Sequence, residues 1–491
     1  MQNIKDLELL LNSAALIIIE TREEARVMGM LDHLITHVAK PVFRWTVTEG
    51  LQRLDVEQPA QLYNAKPLEI LTQIKLTGDA GVYLLLDFHP YMEDPVHVRL
   101  LKDIAQKYVN TPHNILFISH EFNIPEELER YCARFNLSLP DRSVIETIIR
   151  REARAWSKMN SNLRIVVDKK MLNRLIDSLL GLPIDDIKQL VRNAIRHDNV
   201  LTESDIADIM QEKFNLLNQG GVLSFEYDTS KFSDIGGLAK LKEWLKLRRD
   251  AFCGDVRLPG LDAPKGILLL GVQGCGKSLA AKAVAGAWGL PLLRLDFGSL
   301  YNKYHGETEK NLRESLTSAE IMSPCILWID EIEKGISVSD SDGGTSKRVL
   351  GTLLTWMAEK DKAIFIVATA NDIYALPPEL LRKGRLDEIF FVDLPDTETR
   401  KIILNIHLLK REQDPKHFNL DQLATACEGF SGAEIEQAVV SALYRSYANK
   451  TRMSNKDILQ EIEQTRPLSV VMAEQIGALR EWASDRTVPA N

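Results

Sequence analysis

The sequence predicts an α/β fold class in which two sheets of mainly parallel strands, each followed by a helical part, lie one after the other along the chain. Three observations support this prediction. Short apolar runs alternate with helical patterns in both halves. One half contains a glycine-rich loop between an apolar run and a helical run. Segments of the two halves also match each other at an offset of roughly 250 residues.

Length and composition limit the classes of protein that are possible. A chain of 491 residues is long enough for several domains, each with its own core. Its net charge of −9 and isoelectric point near 5.7 disfavour nucleic acid or an anionic membrane as the main partner. A chain with this overall charge can still carry a local basic patch.

Cysteine usage and the N-terminal residues bear on the compartment. The five cysteines show no C-x-x-C pairing, which favours a reducing environment and argues against a zinc site of that kind. The N-terminus lacks a basic leader region, and no apolar run approaches the length of about 18 residues needed to cross a bilayer. We therefore expect a cytoplasmic protein that does not cross a membrane.

The first half contains four apolar runs that predict buried parallel strands, with helical patterns between them. They span residues 14–21, 42–47, 82–87 and 114–119. From residue 142 to 215 the pattern is helical throughout. We therefore predict an α/β domain over residues 1–141 and a helical domain over 142–215. A linker is predicted over 216–231, because this stretch contains Gly220-Gly221 and few periodic apolar positions.

The second half repeats this order of elements. The runs that predict its strands span residues 266–270, 292–296, 325–330, 363–369 and 389–392. After Leu394-Pro395-Asp396 the pattern is helical, apart from a polar C-terminal end. We predict a second α/β domain over residues 232–396 and a helical domain over 397–491.

The glycine-rich loop fits the pattern G-x-x-x-x-G-K-[ST] and lies between an apolar run and an Ala-rich helical run. In this arrangement backbone N–H groups surround phosphates, and the helix N-terminus adds partial positive charge. Lys277 is predicted to contact the β- and γ-phosphates of ATP, and the Ser278 hydroxyl to bind Mg²⁺. A glycine-rich turn with an incidental lysine is the plainer interpretation, but the flanking strand and helix favour a phosphate loop. The predicted nucleotide-binding residues here are Gly271, Gly274, Cys275, Gly276, Lys277, Ser278 and Leu279.

Polar residues follow the two apolar runs that end at residues 329 and 369. Asp330 is predicted to hold Mg²⁺ together with Ser278, and Glu331 to act as the base that activates the attacking water. An acidic pair at a strand end often only caps a turn, but downstream of a phosphate loop it predicts catalysis. Asn371 is predicted to hydrogen-bond the water or the γ-phosphate, whereas alone it would be interpreted as a turn residue.

Arg382 and Arg385 flank a glycine in a basic turn that follows these segments. Two guanidinium groups in such a turn suit the stabilisation of charge on a transferring phosphate. We predict that they act in the site of an adjacent subunit. A solvated basic turn is the alternative interpretation.

The internal repeat extends into the helical parts. Leu139-Pro140-Asp141 matches Leu394-Pro395-Asp396, and residues 181–189 match 429–437. Because the match in the helical part is not explained by strand spacing alone, we interpret the two halves as a duplication.

The first copy lacks the residues of the phosphate loop. In place of the loop it has the run from Glu20 to Ala25, which contains no glycine and carries acidic side chains that would repel a triphosphate. Asp87 stands where the magnesium-binding aspartate would be, but Phe88 follows it in place of a glutamate. We therefore expect no ATP at this position, and we expect Asp87 to be structural rather than a Mg²⁺ ligand.

The second half, from about residue 232 to the last helix, resembles an AAA ATPase module of the AAA+ superfamily. The resemblance rests on six motifs beside the phosphate loop. They are Asp234-Ile235-Gly236-Gly237, Lys303-Tyr304-His305-Gly306-Glu307, Ile329-Asp330-Glu331-Ile332, Ala370-Asn371, Arg382 to Arg385, and Gly429-Phe430-Ser431-Gly432-Ala433. A degenerate first copy before one active module is similar to an AAA family known from cyanobacteria, algal plastids and other bacteria.

This resemblance implies a ring, usually a hexamer, with ATP at the subunit interfaces. It implies that Asp234, Ile235 and Gly236, together with Gly432-Ala433, border the adenosine. It also implies a pore loop at Tyr304-His305-Gly306 that grips polypeptide in many relatives. His305 is polar and titratable where the family prefers an aliphatic residue, so this loop departs from the pattern.

Three functions are compatible with these patterns. The first is an ATP-driven homo-oligomeric ring that remodels a protein or protein complex, with the degenerate half recruiting the client or steadying the ring. The second is a nucleotide-dependent switch or scaffold that binds partners through the degenerate half. The third is a nucleic-acid motor, which the acidic isoelectric point disfavours.

Overall fold

The computed structural model describes most of the chain. The described residues are 2–35, 40–56, 64–160, 169–198, 203–217, 222–226, 235–253, 260–301, 308–335, 345–382 and 384–491. Two of the predicted sites lie outside them, namely Asp234 and the pore loop Tyr304-His305-Gly306. Within the described part of the chain, no helix is both long and apolar enough to span a membrane.

The chain divides into two compact units. The first consists of Met1–Ile165 and Leu180–His197, and the second of Val166–Leu179 and Asp198–Asn491. The predicted helical stretch 142–215 is therefore shared between them, since its second and fourth helices group with the second unit.

The first unit is built on a sheet of strands that run mostly parallel. Its described strands are β1 (Leu16–Glu20), β2 (Val42–Thr46), β3 (Gly50–Arg53), β4 (Val82–Leu86), β5 (Asn114–Ser119) and β6 (Cys132–Arg134). Their order across the sheet is β3-β2-β4-β5-β1-β6, and only β3 is antiparallel to its neighbour among these strands. Strands β4 and β5 are buried along their whole length, as expected for central parallel strands.

Helices cover both faces of this sheet and continue into the helical part. In the first unit they are α1 (Gln2–Ser13), α2 (Glu24–Ile35), α3 (Pro67–Leu76), α4 (Pro95–Gln106), α5 (Arg142–Met159) and α7 (Ile184–Asp198). The other two helices of this stretch, α6 (Lys169–Leu179) and α8 (Glu203–Leu217), belong to the second unit. One face of the sheet carries a core with α3 and α4, and the other a core with α1 and α2.

The second unit contains a sheet of the same kind. Its described strands are β7 (Leu223–Glu226), β8 (Gly266–Gly271), β9 (Leu292–Leu295), β10 (Cys325–Ile329), β11 (Ile364–Ala370), β12 (Glu388–Val392) and β13 (Val488–Pro489). Their order is β13-β12-β8-β11-β10-β9-β7, and β7 pairs antiparallel with β9. Every residue of β8, β10 and β11 is buried.

The helices of the second unit pack on both faces of this sheet and then form a separate helical core. They are α9 (Ala239–Cys253), α10 (Lys277–Trp288), α11 (Phe297–Tyr301), α12 (Thr308–Ile321), α13 (Thr345–Glu359), α14 (Thr397–Leu409), α15 (Leu420–Ala426), α16 (Gly432–Ala448), α17 (Asn455–Gln464), α18 (Leu468–Val471) and α19 (Ala473–Ser484). Helices α14 to α17 enclose a core of their own, which includes Leu404, Leu423, Ile435 and Ile458.

The structure confirms the predicted fold class and its degenerate first copy. The order β6-β1-β5-β4-β2 in the first sheet corresponds strand by strand to β12-β8-β11-β10-β9 in the second. The repeated Leu-Pro-Asp segments have the same role, because Asp141 caps α5 through Val144 N and Asp396 caps α14 through Thr399 N. Gly181 and Gly429 both adopt positive φ, at 85° and 79°.

Strand β7 lies inside the stretch that was predicted to be a linker. Its side chains alternate between apolar and polar, but it has only four residues, so its periodicity was too short to detect. Phe225 of this strand packs on Phe214 of α8 at a ring-centroid distance of 5.6 Å. The residues that precede the second α/β domain in sequence therefore contribute to the sheet and the core of that domain.

The stability of the second unit is expected to rise with pH through the titration of Lys213. This lysine is buried in α8, donates to the Ser178 carbonyl at 3.0 Å, and has a pKa lowered by burial to about 8. The ordinary pKa of this lysine is 10.5, so between pH 8 and 10.5 the unfolded chain binds a proton that the folded chain has lost. The free-energy cost of burying the charged lysine is therefore complete below pH 8 and decreases above it. We expect Lys213→Met to increase the free energy of unfolding at pH 7 by about 3 kcal/mol or less, and by little at pH 10.5.

Denaturant unfolding of the wild type and of Lys213→Met at about pH 7, 9 and 10.5 measures this difference. Lys310→Met, at an exposed lysine of α12, is the matched control and should show no such pH trend. A gain from Lys213→Met that stays constant across this pH range would contradict the assignment.

Candidate active site

The candidate site lies at the carboxyl edge of the second sheet, where β8, β11 and β10 are neighbours. Their registers pair Ile366 with Gly266 and Cys325 with Ile364, so the three strands end close together. Parallel sheets present their functional groups at this edge because the strand interiors are buried in apolar layers. Residues after each strand therefore meet although they are far apart in sequence.

The glycine-rich loop connects β8 to α10 with the geometry that was predicted from its sequence. Gly274 and Gly276 adopt φ values of 77° and 89°, which are left-handed conformations that a side chain would strain. Gly276 is the N-cap residue of α10, so the first backbone N–H groups of that helix lie at the loop. Ser278 and Leu279 are exposed in its first turn. A loop of this shape fits a phosphate group.

Lys277 is held inside the loop. It is only 7% exposed, and its Nζ donates to the carbonyls of Gly271 and Val272 at 2.8 and 2.9 Å. Burial lowers the pKa of Lys277 to about 8, and nearby acidic groups, Glu333 foremost among the carboxyls, oppose this shift. A bound phosphate would offer this ammonium a stronger partner than the carbonyls.

Asp330 lies one residue past β10 and makes two side-chain contacts. Its Oδ1 accepts from Thr369 Oγ1 at 2.8 Å, and its Oδ2 accepts from Arg294 Nη2 at 2.9 Å. Both contacts fix the carboxylate at the edge of the sheet. A carboxylate oriented in this way next to a phosphate loop is suited to a magnesium shell.

Glu331 adopts an unusual conformation, with φ at 46°. Its backbone N–H donates to Thr369 Oγ1 at 3.0 Å, and its Oε1 accepts from Asn371 Nδ2 at 2.8 Å. Its Oε2 forms an ion pair with Lys334. The structure thus brings Asn371 to the carboxylate of Glu331, while a contact of Asn371 with water or phosphate stays a prediction.

Thr369 and Glu333 belong to this cluster although neither was predicted. The Thr369 hydroxyl bridges Asp330 and Glu331, as described above. Glu333 is 8% exposed and accepts from the backbone N–H of Asn371 at 2.8 Å. Burial raises the pKa of Glu333, so this carboxyl is easier to protonate than an exposed one. The sequence feature that could have identified Glu333 is its position two residues after Glu331.

Arg294 and Glu226 form a second group that the sequence did not reveal. Arg294 contacts Asp330 on one side and lies 3.8 Å from Glu226 of β7 on the other. Its guanidinium also lies over the ring of Trp328, 4.8 Å from the centroid. Glu226 pairs with Lys282 of α10 at 3.0 Å as well. The short strand β7 is therefore connected to Asp330 through one arginine.

Helix α16 begins directly against the glycine-rich loop. The backbone N–H of Ala433 donates to the Gly274 carbonyl at 3.0 Å. A capping box between Ser431 and Glu434 fixes this helix start. Gly432, which begins α16, would place an added Cβ 3.4 Å from the same carbonyl. The predicted adenosine-bordering pair Gly432-Ala433 thus lies beside the phosphate loop.

The segment that contains Ile235 and Gly236 packs on the helical part. A Cβ added to Gly236 would lie 2.9 Å from the Ile403 side chain of α14, which leaves no room for a larger residue. The Asn491 side chain accepts from the backbone N–H of Leu238, a contact that was not predicted. This segment, helix α14 and the C-terminal residue Asn491 therefore meet in the second unit.

The two predicted arginines lie in the turn before β12. Arg382 is exposed, whereas Arg385 is partly buried and donates to the Glu379 carbonyl. Asp387 shapes this turn by accepting from the backbone N–H groups of Lys265 and Gly266. Their action on a neighbouring subunit stays a prediction.

The equivalent position in the first copy is filled by a carboxylate. Glu23 is buried, and its Oε1 accepts from the backbone N–H of Ile184 at 2.6 Å. Its Oε2 forms an ion pair with Arg26 at 2.7 Å. Ile184 begins α7, the counterpart of α16, so an acidic side chain stabilises the helix N-terminus that meets a glycine loop in the second copy.

Comparison with known protein families agrees with this division of the chain. Residues 267–394 match the ATPase family associated with various cellular activities (AAA), and residues 417–461 match the AAA+ lid domain. Residues 3–137 match the N-terminal domain of SpoVK-like AAA ATPases, and residues 143–220 match their second domain. The fold and these matches define the protein as an AAA ATPase class member.

Relatives that match most or nearly all of the chain define the group within this class. The AAA domain-containing protein ycf46 of Pyropia yezoensis is 39% identical over 98% of this chain and 97% of the relative. The corresponding protein of Trieres chinensis is 36% identical over 96% of this chain and 94% of its own length. The proteasome-activating nucleotidase of Aeropyrum pernix is 28% identical over 77% of this chain and 89% of its own. The chain belongs to the AAA family, within the group of ycf46 AAA domain-containing proteins.

Each chain is expected to bind one nucleotide. Lys277→Ala should abolish binding, because the phosphate charge loses its cationic partner, whereas Glu23→Gln in the first copy should leave it unchanged. Titration with a fluorescent ADP analogue, at known protein concentration, measures both stoichiometry and affinity. A stoichiometry of two nucleotides per chain would show that the first copy also binds nucleotide. So would a Lys277→Ala variant that still binds half as much nucleotide as the wild type.

Thr369 is expected to be a positioning residue for the two carboxylates. Thr369→Val keeps the volume but removes both hydroxyl contacts, so kcat for ATP hydrolysis should fall by about 10-fold or more while nucleotide affinity changes little. Thr369→Ser restores the hydroxyl and should recover most of the rate. Steady-state kinetics with both variants measures this, and equal losses in the Val and Ser variants would point to packing instead.

Proposed function

We propose that this protein is an ATPase that works as an oligomeric AAA ring and couples ATP hydrolysis to the remodelling of a protein or protein complex. The observation that carries the proposal is the cluster at the carboxyl edge of the second sheet. There Asp330, Glu331 and Asn371 meet beside the phosphate loop, and the Thr369 hydroxyl and the Asn371 amide orient the two carboxylates.

The chemistry assigns one task to each part of the cluster. The loop N–H groups and Lys277 would bind the phosphates, and Ser278 with Asp330 would hold Mg²⁺, which would supply positive charge beside the phosphates. Glu331 accepts the proton of the attacking water. Arg294 pairs with the Asp330 carboxylate at 2.9 Å, so it would compete with a metal ion for that oxygen.

A ring accounts for the residues that one chain leaves at its surface. Arg382 is exposed in the turn before β12, as a residue that reaches a neighbouring site would be. The start of α16 borders the loop, and Gly432 of this helix start and Gly236 both lie against the Ile403 side chain of α14. We assign these residues to one side of the nucleotide pocket. ATP bound there would lie between the loop and carboxylates of one chain and an arginine from the adjacent subunit.

Remodelling of a protein is supported by kinship rather than by a client-binding surface. Relatives that cover most of this chain include proteasome-activating nucleotidases, whose name describes action on another protein assembly. The first copy retains the AAA-like sheet order but has Glu23 in the phosphate position. We assign the recruitment of the client to this copy, because its sheet and helices are preserved without the nucleotide chemistry.

One observation favours the second candidate function, a nucleotide-dependent switch or scaffold. Both oxygens of the Glu331 carboxylate already have partners, because Oε1 accepts from Asn371 Nδ2 and Oε2 pairs with Lys334. If this arrangement persisted with ATP bound, turnover would be slow and ATP would act mainly as a ligand. The steady-state rate distinguishes the two functions.

The Glu331→Gln variant tests the ring. It should bind ATP, hydrolyse it at least about 100-fold more slowly, and accumulate as a closed oligomer, since the proton acceptor is lost while the phosphate contacts remain. Native mass spectrometry with ATP and Mg²⁺ measures the subunit number, with six expected. Lys277→Ala is the matched control and should not assemble in response to ATP. A strictly monomeric Glu331→Gln protein under these conditions would overturn the ring.

The same variant tests the coupling to a protein client. Client proteins should be retained by ATP-bound Glu331→Gln rings and released after exchange into ADP, and they should stimulate hydrolysis by the wild-type protein. Retention with negligible wild-type turnover, even with the client present, would favour the switch.

A further inference from the structure

Three potential metal ligands meet at the carboxyl edge of the first sheet. Asp87 follows β4, His89 lies in the short turn after it, and His120 follows the neighbouring strand β5. One ligand atom from each residue lies within 4.8 Å of the other two. In the described part of the chain this is the one such group of three.

The two imidazoles of this group pack against each other. Their rings lie edge to face, with centroids 4.8 Å apart and an interplanar angle of 89°. His89 Nδ1 forms a hydrogen bond of 2.6 Å with the Ser119 hydroxyl. This contact fixes the ring and leaves Nε2 for a metal, as the second hydrogen bond of a ligating histidine commonly does.

The surrounding charge favours a cation. Glu24 begins α2 close to this group, and burial and the negative charge of Asp87 raise its pKa, while Arg44 opposes the shift. Two carboxylates that repel each other lose that penalty when a divalent ion binds between or beside them. Arg44 is itself paired with Glu49, which reduces its competing charge.

We propose that Asp87, His89 and His120 bind a divalent transition-metal ion of the Zn²⁺ class, with water completing the shell. Two imidazole nitrogens and one carboxylate oxygen form a donor set that such ions prefer, whereas Mg²⁺ and Ca²⁺ prefer oxygen alone. Tetrahedral ligands lie about 3.3 Å from one another, so the ligand atoms, which lie within 4.8 Å, need to approach by at most about 1.5 Å. Asp87 and His120 are exposed and can rotate to do so.

This assignment gives Asp87 a role different from the one expected from its sequence position. The strand registers make it the counterpart of Asp330, since Leu86 pairs with Ile118 as Ile329 pairs with Ala368. Without a phosphate loop it has no nucleotide partner for Mg²⁺. The two histidines supply a different donor set at the same edge, and they come from two strands, so the sequence spacing did not reveal them.

Zinc binding by the full-length protein tests the proposal. Competition with a chromogenic chelator measures affinity and stoichiometry, and the visible absorption of bound Co²⁺ reports nitrogen and oxygen ligation. We expect one tight ion per chain in the wild type, loss of this ion in the His89→Ala/His120→Ala double variant, and at least about 10-fold weaker binding in Asp87→Asn. Ser119→Ala should weaken binding by about 10-fold through the orientation of His89.

His417→Ala is the matched control, because His417 is an exposed histidine 3.8 Å from an aspartate but outside the group. It should bind zinc as the wild type does. Cys253→Ser identifies any ion held by that exposed thiol. Circular dichroism confirms that the variants are folded, and Asp87→Asn keeps the side-chain shape if the double variant does not fold. Unchanged stoichiometry and affinity in both the double variant and Asp87→Asn would overturn the proposal.

Discussion

Burial of the central parallel strands on both faces is the constraint on which the second unit depends. Every residue of β8, β10 and β11 is buried, so polar chemistry is possible only where these strands end. Hydrogen bonding between the strands fixes those ends side by side, and it brings residues from three distant segments within contact distance. The cluster around Asp330 and Glu331 is a consequence of this arrangement.

The two copies use the same sheet order for different chemistry. In the second copy a helix start meets a glycine loop, and the space beside it suits phosphate. In the first copy the Glu23 carboxylate binds the corresponding helix start, which satisfies its N–H group and places negative charge where phosphate would lie. One side chain therefore satisfies this helix start and disfavours a phosphate at the same place.

Much of the fold and part of the site could be predicted from local patterns. The runs that form β8, β10 and β11, the loop with Lys277 and Ser278, and the pair Asp330-Glu331 are each defined within a few consecutive residues. Strands β3, β6, β7 and β13 were missed, because two to four residues carry no usable periodicity and form strands only against an existing edge. Thr369 was missed for another reason, since a threonine inside an apolar run is typical of any strand.

The sequence by itself determined the class of the protein, the phosphate loop and the loss of that loop in the first copy, because each depends on residue types at fixed short spacings. Only the tertiary structure decided that Thr369 contacts both the Asp330 carboxylate and the Glu331 backbone N–H, that Arg294 connects Glu226 to Asp330, and that His120 lies beside Asp87 and His89. These pairs belong to different strands. Their contact depends on the order and register of the sheets, which hydrogen bonding and core packing settle across the whole chain.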